Sequence, residues 1–340
     1  MSYLDMQGVV MTRANHYFRA FIMVLSMGQV LGGVSIASES VAMAPVFQFL
    51  SKGGDPNAKN ERGETLLFIA TNWNNIEAVK ALIKRGADPN VCNNAGTCPI
   101  NVSAGRDTEI LRILVTSGAN VNNYDKYLSY SALGSVSSNR HDTFERLREK
   151  GSYRGKFPNS MESARILISA GANVNHVDAG GGSPLRGAMR VNNLDIARLL
   201  IESGADVHQR LDDQTSHGIQ NGNTILMETI TWYSLHKDIR AIGLLLSNGA
   251  NPNDKNDKDY DEECDERTSG KCGWQGYTVL TYAAKRGWND VVEILLRYGA
   301  DKTVPRNDGK TASAIAEKHK HINTTSLIQK YETNKKLMSP

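Results

Sequence analysis

Apolar positions along the chain follow two alternating patterns, one sparse and one dense. The stretch "YTVLTYAAKRGWNDVVEILLRYGAD", residues 277–301, shows both. Thr278 opens a short segment in which Leu280, Ala283 and Ala284 recur at helical spacing, and Gly287 stands where that helix would end in a left-handed turn. Val291, Val292, Ile294, Leu295 and Leu296 then give a second helix a wide apolar face, and Gly299 supplies its C′ glycine. The phrase Gly-Ala-Asp/Asn returns at Gly86, Gly118, Gly171, Gly204, Gly249 and Gly299, with a weaker copy at Gly53-Gly54-Asp55. Successive gaps are 33, 32, 53, 33, 45 and 50 residues. Three gaps share a period of about 33, and the others exceed it by roughly 20, 12 and 17. The pattern predicts an all-α array of helix-turn-helix repeats carrying three insertions. Each pair has an apolar flank that only its neighbours can cover, so the pairs must stack.

The repeat resembles the ankyrin family. Residues 277–301 track its T-P-L-H-x-A-A, G-x-x-x-V-V-x-L-L-L and G-A-D/N signatures, as do "GETLLFIATNWNNIEAVKALIKRGADPN", "GTCPINVSAGRDTEILRILVTSGANVN", "GSPLRGAMRVNNLDIARLLIESGADVH" and "GNTILMETITWYSLHKDIRAIGLLLSNGANPN". A copy split by an insertion reads "YLSYSALGS…MESARILISAGANVN", and "DGKTASAIAEKHKHINTTSLIQKYE" fits a polar C-terminal cap. The resemblance covers about residues 40 to 332 and implies a solenoid of about seven repeats with β-hairpin fingers. It also implies a protein-binding surface on the concave face. One departure is systematic. The family's histidine is replaced by Phe68, Asn101, Arg186, Met227 or Thr281.

The front end follows another rule. Arg13 and Arg19 precede the apolar run "FIMVLSMGQVLGGVSIA", residues 21–37, and Ser35-Ile36-Ala37 suits a cleavage site. This predicts a signal peptide over 1–37, with a hydrophobic capping helix as the alternative. The run is too short and glycine-rich for stable membrane insertion. The expected division is then a signal peptide, a repeat domain at 38–332 with insertions near 137–160, 211–221 and 257–275, and a tail at 333–340. Export to a periplasm, or secretion, follows from the signal peptide and implies an oxidising compartment.

Cysteine pairing follows from the array. Four cysteines allow three pairings. Repeats stack about 10 Å apart, so Cys92 and Cys264, some five repeats apart, would lie about 50 Å from one another, whereas bridged Cα atoms lie within about 7 Å. Two local bridges remain, Cys92–Cys98 and Cys264–Cys272, with free thiols as the alternative. No Cys-x-x-Cys or histidine pair accompanies them, which argues against zinc.

A net charge of +3 names no nucleic-acid partner. The eight histidines are scattered over different repeats, and no nucleophile elbow, H-E-x-x-H motif or phosphate loop is present. Asp257, Asp259 and Asp261 alternate as in a calcium loop but lack its turn glycine and closing glutamate. The expectation is a non-enzyme without cofactor or metal, monomeric when alone. Candidate binding residues are then the acidic insertion (Asp257, Asp259, Asp261, Glu262, Glu263) and aromatics placed in or near fingers and first helices: Trp73, Trp232, Tyr233, Trp274, Tyr277 and Tyr282. Trp288, between two helices, reads as structural. The leading expectation is an exported immunity protein that occludes a toxin enzyme. A periplasmic scaffold in oxidant defence and a secreted effector that binds a host protein are the alternatives.

Overall fold

The computed structural model describes residues 50–105, 107–127, 129–138, 160–210, 222–256 and 276–331. The signal-peptide segment, most of the three insertions, the 333–340 tail, the five acidic candidates, Trp274, Cys264 and Cys272 lie outside the described residues. The chain forms two compact units that divide after Asp178.

Among the described residues unit 1 holds three helix pairs: α1 (Leu66–Asn72) with α2 (Ile76–Lys84), α3 (Pro99–Ser103) with α4 (Thr108–Thr116), and α5 (Ala132–Ser137) with α6 (Ser160–Ser169). The described residues of unit 2 hold four: α7 (Pro184–Arg190) with α8 (Leu194–Glu202), α9 (Ile225–His236) with α10 (Ile239–Ser247), α11 (Val279–Arg286) with α12 (Asn289–Arg297), and α13 (Ala312–Lys318) with α14 (Ile322–Lys330). Within each unit first helices pack on first helices and second on second, as in α1–α3–α5 and α8–α10–α12. Each unit is therefore a run of an α-solenoid.

The local chemistry repeats with the sequence. Thr65, Ser131, Ser183, Thr224, Thr278 and Thr311 each cap a first helix by accepting the N–H three residues on. Small buried residues such as Ala70, Ala104, Ala188, Ala283 and Ala316 let those helices approach closely. The turn to the second helix needs a left-handed residue, which is Gly287 in one pair (φ 68°) and Asn74, Asn192, Lys237 or Lys320 in others.

The Gly-Ala-Asp/Asn phrase encodes three separate devices. Each glycine has φ between 78° and 94°, and a Cβ there would meet nothing within 4 Å. Backbone handedness is therefore what selects glycine. The following alanine donates its N–H to the carbonyl five residues back, as Ala87 does to Leu82 and Ala300 to Leu295, which closes a Schellman motif. The Asp or Asn then accepts the N–H two residues on, from Asp55 to Asp301, at 2.8–3.0 Å. A further asparagine two residues later joins neighbours. Asn57, Asn90, Asn122 and Asn253 accept the N–H of Asp88, Asn120, Asn173 and Asp301, each at 2.7 Å.

The fingers carry single antiparallel bridges, such as Lys59 with Thr65 and Lys255 with Thr278; among the described residues no longer strand forms. Here glycine serves close approach as well as handedness. A Cβ on Gly63 would lie 2.3 Å from Asn94 Oδ1 in the next finger, and one on Gly276 would lie 2.3 Å from the Asn307 side chain.

Cys92 and Cys98 are bridged, with Cα atoms 4.0 Å apart across the Asn93–Gly96 turn. Cys98 occupies the cap position, and its N–H donates to Asn101 Oδ1 at 3.0 Å. Asn101 also donates to the Asn123 carbonyl in the following finger at 3.0 Å. Asparagine thus does the cross-repeat bonding at a position where the family carries histidine. Thr281 bonds Thr278 locally, Arg186 turns to Glu228, and Phe68 and Met227 make the position apolar.

Candidate partner-binding face

Unit 2 gathers four aromatic rings along α11 and its flanks. Tyr277 lies at the finger, Tyr282 on the helix and Trp288 in the following turn, while Tyr233 reaches in from α9. Ring centroids are 6.0 Å apart for Tyr277–Tyr282, 6.2 Å for Tyr282–Trp288 and 5.2 Å for Tyr233–Trp288, all edge-to-face. The three tyrosines are less than a tenth exposed. Their hydroxyls are engaged: Tyr233 donates to Asp290, Tyr282 accepts from Arg286 at 3.1 Å, and Tyr277 accepts from Arg306 at 2.7 Å. Burial, together with the Asp290 carboxylate, pushes the Tyr233 hydroxyl up to about 12.

Cations cover the rings. Arg306 and Lys285 sit 4.7 and 5.1 Å from the Tyr277 centroid, Arg286 5.2 Å from Tyr282, and Lys237 5.1 and 5.3 Å from Tyr233 and Trp288. Solvent therefore meets a positively charged layer resting on an aromatic base. Asp308 pairs with Arg306 and Lys310, which holds its carboxyl well below the usual range.

The sequence-predicted aromatics divide accordingly. Tyr233, Tyr277 and Tyr282 come together; Trp232 lies beside them on α9, half-buried. Trp73 is a half-buried C-cap in unit 1, whereas the ring cluster belongs to unit 2. Trp288, read from sequence as structural, links two of the tyrosines. The cations were not singled out from sequence, although Tyr282 and Arg286 stand at the i, i+4 spacing that pairs side chains on a helix.

Unit 2 also holds a buried ion pair. Arg186 on α7 contacts Glu228 on α9, whose side chain is 2% exposed. Burial lifts the Glu228 carboxyl to about 7, with Arg186 opposing the rise. Among the described residues Glu228 Oε2 has no hydrogen-bond partner. Among the described residues no group of three or more His, Cys, Asp or Glu could hold a metal ion. None of their helices is long and apolar enough to cross a membrane.

A family model for ankyrin repeats (three copies) matches residues 34–125 and 237–338, and a single-repeat model matches 180–211. Together these span more than half of the chain. The chain belongs to the ankyrin-repeat family. An ankyrin repeat protein of Acanthamoeba polyphaga mimivirus is 26% identical over 251 residues, 59% of this chain and 35% of that protein. Neurogenic locus notch homolog protein 1 of Homo sapiens is 28% identical over 170 residues, 49% of this chain and 6% of that protein. The chain thus spans about a third or less of the length of these relatives. Among solved structures, the human ASB11 ankyrin repeat domain aligns with TM-score 0.52 and 17% identity over 78% of this chain and 97% of that one. The ankyrin repeat domain of Bcl-3 gives 0.55 and 21% over 78% and 99%. These structural matches show the ankyrin fold. Ankyrin repeats are generally protein-binding modules without catalysis.

Proposed function

We propose that this ankyrin-repeat chain is a non-catalytic binder of an extracytoplasmic compartment that holds an enzyme and covers its working surface, in the manner of a toxin-immunity protein. The observation that carries the binding face is the row Tyr277–Tyr282–Trp288–Tyr233 under Lys285, Arg286, Arg306 and Lys237. A pre-packed aromatic base loses little side-chain freedom when a partner lands on it, and charges above it choose the partner's orientation. The acidic residues Asp257, Asp259, Asp261, Glu262 and Glu263 belong to the same reading as a second contact of opposite sign. The Cys92–Cys98 bridge supports the oxidising compartment.

Capture from a periplasmic extract tests this reading. Wild type is compared with Arg286→Glu/Arg306→Glu and with Asp259→Lys/Asp261→Lys/Glu262→Lys/Glu263→Lys, and the captured enzyme is then assayed against rising chain concentration. The expected result is roughly tenfold or greater loss of capture in the arginine variant and stoichiometric loss of enzyme activity with wild type. Capture of an enzyme that stays fully active would contradict occlusion; if that enzyme were a catalase, the scaffold reading would replace it. Equal capture by all variants would remove this face from the account.

A further inference from the structure

The turns that join first to second helices in unit 2 form a rim of unusual chemistry. The segments 190–195, 234–240, 285–290 and 317–323 carry seven Lys or Arg residues against four Asp or Glu, with three histidines besides. Leu235 and Ile322 stand out from this rim at 75% and 76% exposure. The two are connected through the fold. Lys237, two residues after Leu235, lies 5.3 Å from the Trp288 ring; its neighbour Gly287 has no room for a Cβ because the His321 ring would lie 2.6 Å away; Ile322 follows His321. His321 and His236 pin the rim from below through the Lys285 and Arg190 carbonyls, at 3.0 and 2.9 Å. α9 contributes by being longer than the other first helices, twelve residues against five to eight, so its last turn lifts Leu235 outward.

We infer that this rim is a peripheral docking surface for an anionic lipid bilayer. Two projecting aliphatic side chains flanked by Lys237, Arg286, Lys318 and Lys320 have the chemistry of an interfacial anchor, in which apolar tips enter the headgroup boundary while long cations stay at the phosphates. A protein partner is a poorer fit, because leucine is under-represented at protein hot spots, and the open cavity of about 370 Å³ beside Ile322 is lined mainly by polar and cationic residues, Asn289, Lys320, His321, Asn323 and Thr324 among them. The anchoring is reversible and shares Lys237 and Arg286 with the cation layer over the aromatic rings. It does not depend on the occlusion reading.

Vesicle binding by the full chain decides this. The probe is extruded phosphatidylcholine vesicles with and without about one-third phosphatidylglycerol, and the readout is the ratio of affinities for the two. That ratio cancels any contribution common to all variants from the apolar residues 21–37. Wild type should prefer anionic vesicles by at least about tenfold, less at high salt. Lys237→Glu/Lys320→Glu should abolish the preference, and Leu235→Ser/Ile322→Ser should leave the ratio in place but weaken binding to the anionic vesicles about fivefold or more with an unchanged melting temperature, since both side chains are already in solvent. An unchanged ratio in the lysine variant overturns the inference, as does an unchanged affinity in the Leu235/Ile322 variant or a wild type with no preference. Binding of an acidic protein to the rim without vesicle binding overturns it in favour of a protein site.

Discussion

The two units use the same repeat but depart from it in different places. Unit 1 is regular where it matters for stacking. Asn57, Asn90 and Asn122 make successive rungs, Asn101 bonds across to the next finger, and Cys92–Cys98 fixes a hairpin. Its ion pairs Lys80–Glu109 and Arg112–Glu162 are exposed and contribute little. Unit 2 gives up some of that regularity. His208 takes a rung asparagine's place, and among the described residues no rung to Asn251 replaces it. Arg186 and Glu228 are buried as a pair, and α9 is extended by a turn. The irregularities fall in the unit that also carries the aromatic rings. Repeats that only stack can keep their grammar, whereas repeats that bind must spend positions on the partner.

The largest contrast should come from Arg186→Ala. It leaves the Glu228 carboxylate buried without its counter-charge, and the expected loss is about 3–5 kcal/mol at pH 8. At pH 5 the loss should be much smaller. Glu228 has a folded-state value raised to about 7, so the folded chain holds this proton more tightly than the unfolded one. Its contribution favours folding below the unfolded carboxyl range and is lost as pH rises through about 7. Wild-type stability in unit 2 should therefore fall between about pH 5 and pH 8, and Glu228→Gln should flatten that fall. Chemical denaturation at both pH values checks both statements. No difference between them would mean that Glu228 is solvated.

The glycines give the next effect. Gly276→Ala combines a positive φ with a clash against Asn307 and should cost more than about 2 kcal/mol, whereas Gly86→Ala, with open space around it, should cost about 1. Equal losses would mean that the close approach of fingers is not a constraint. Cys98→Ser should then cost at most about 2–3 kcal/mol, confined to the short loop it closes. Proteolytic nicking at 92–98 with little change in global melting is the expected signature. Smallest is the rung: Asn90→Ala should lose about 1 kcal/mol, while His208→Asn should gain up to about that much by completing unit 2. A neutral His208→Asn would show that unit 2 tolerates the gap without cost.

How much of this was legible follows from the range of each interaction. Thr278, Gly287 and Gly299 announce caps and turns because the bonds involved span two to five residues. The Cys92–Cys98 pairing was legible once the repeat fixed which residues face each other across a finger. The aromatic row was partly legible: Tyr233, Tyr277 and Tyr282 were singled out by their places in or near fingers and first helices, but the contact of Tyr233 with Trp288, 55 residues away, forms only when pairs stack. The 45-residue gap between Gly204 and Gly249 reads as an insertion at 211–221. In the structure the extra turn of α9 belongs to that gap too, and Lys237, left-handed without being glycine, gave no warning of where α9 stops. The acidic insertion, Trp274 and Cys264–Cys272 lie outside the described residues and stay as sequence-based expectations.

Hydrogen exchange on the chain with and without its captured partner tests the central claim most directly. The account predicts added protection at α9, at α11 and in the finger that carries Arg306, with α2 and α4 in unit 1 unchanged. Protection confined to unit 1, with α11 exchanging as in the free chain, would contradict it.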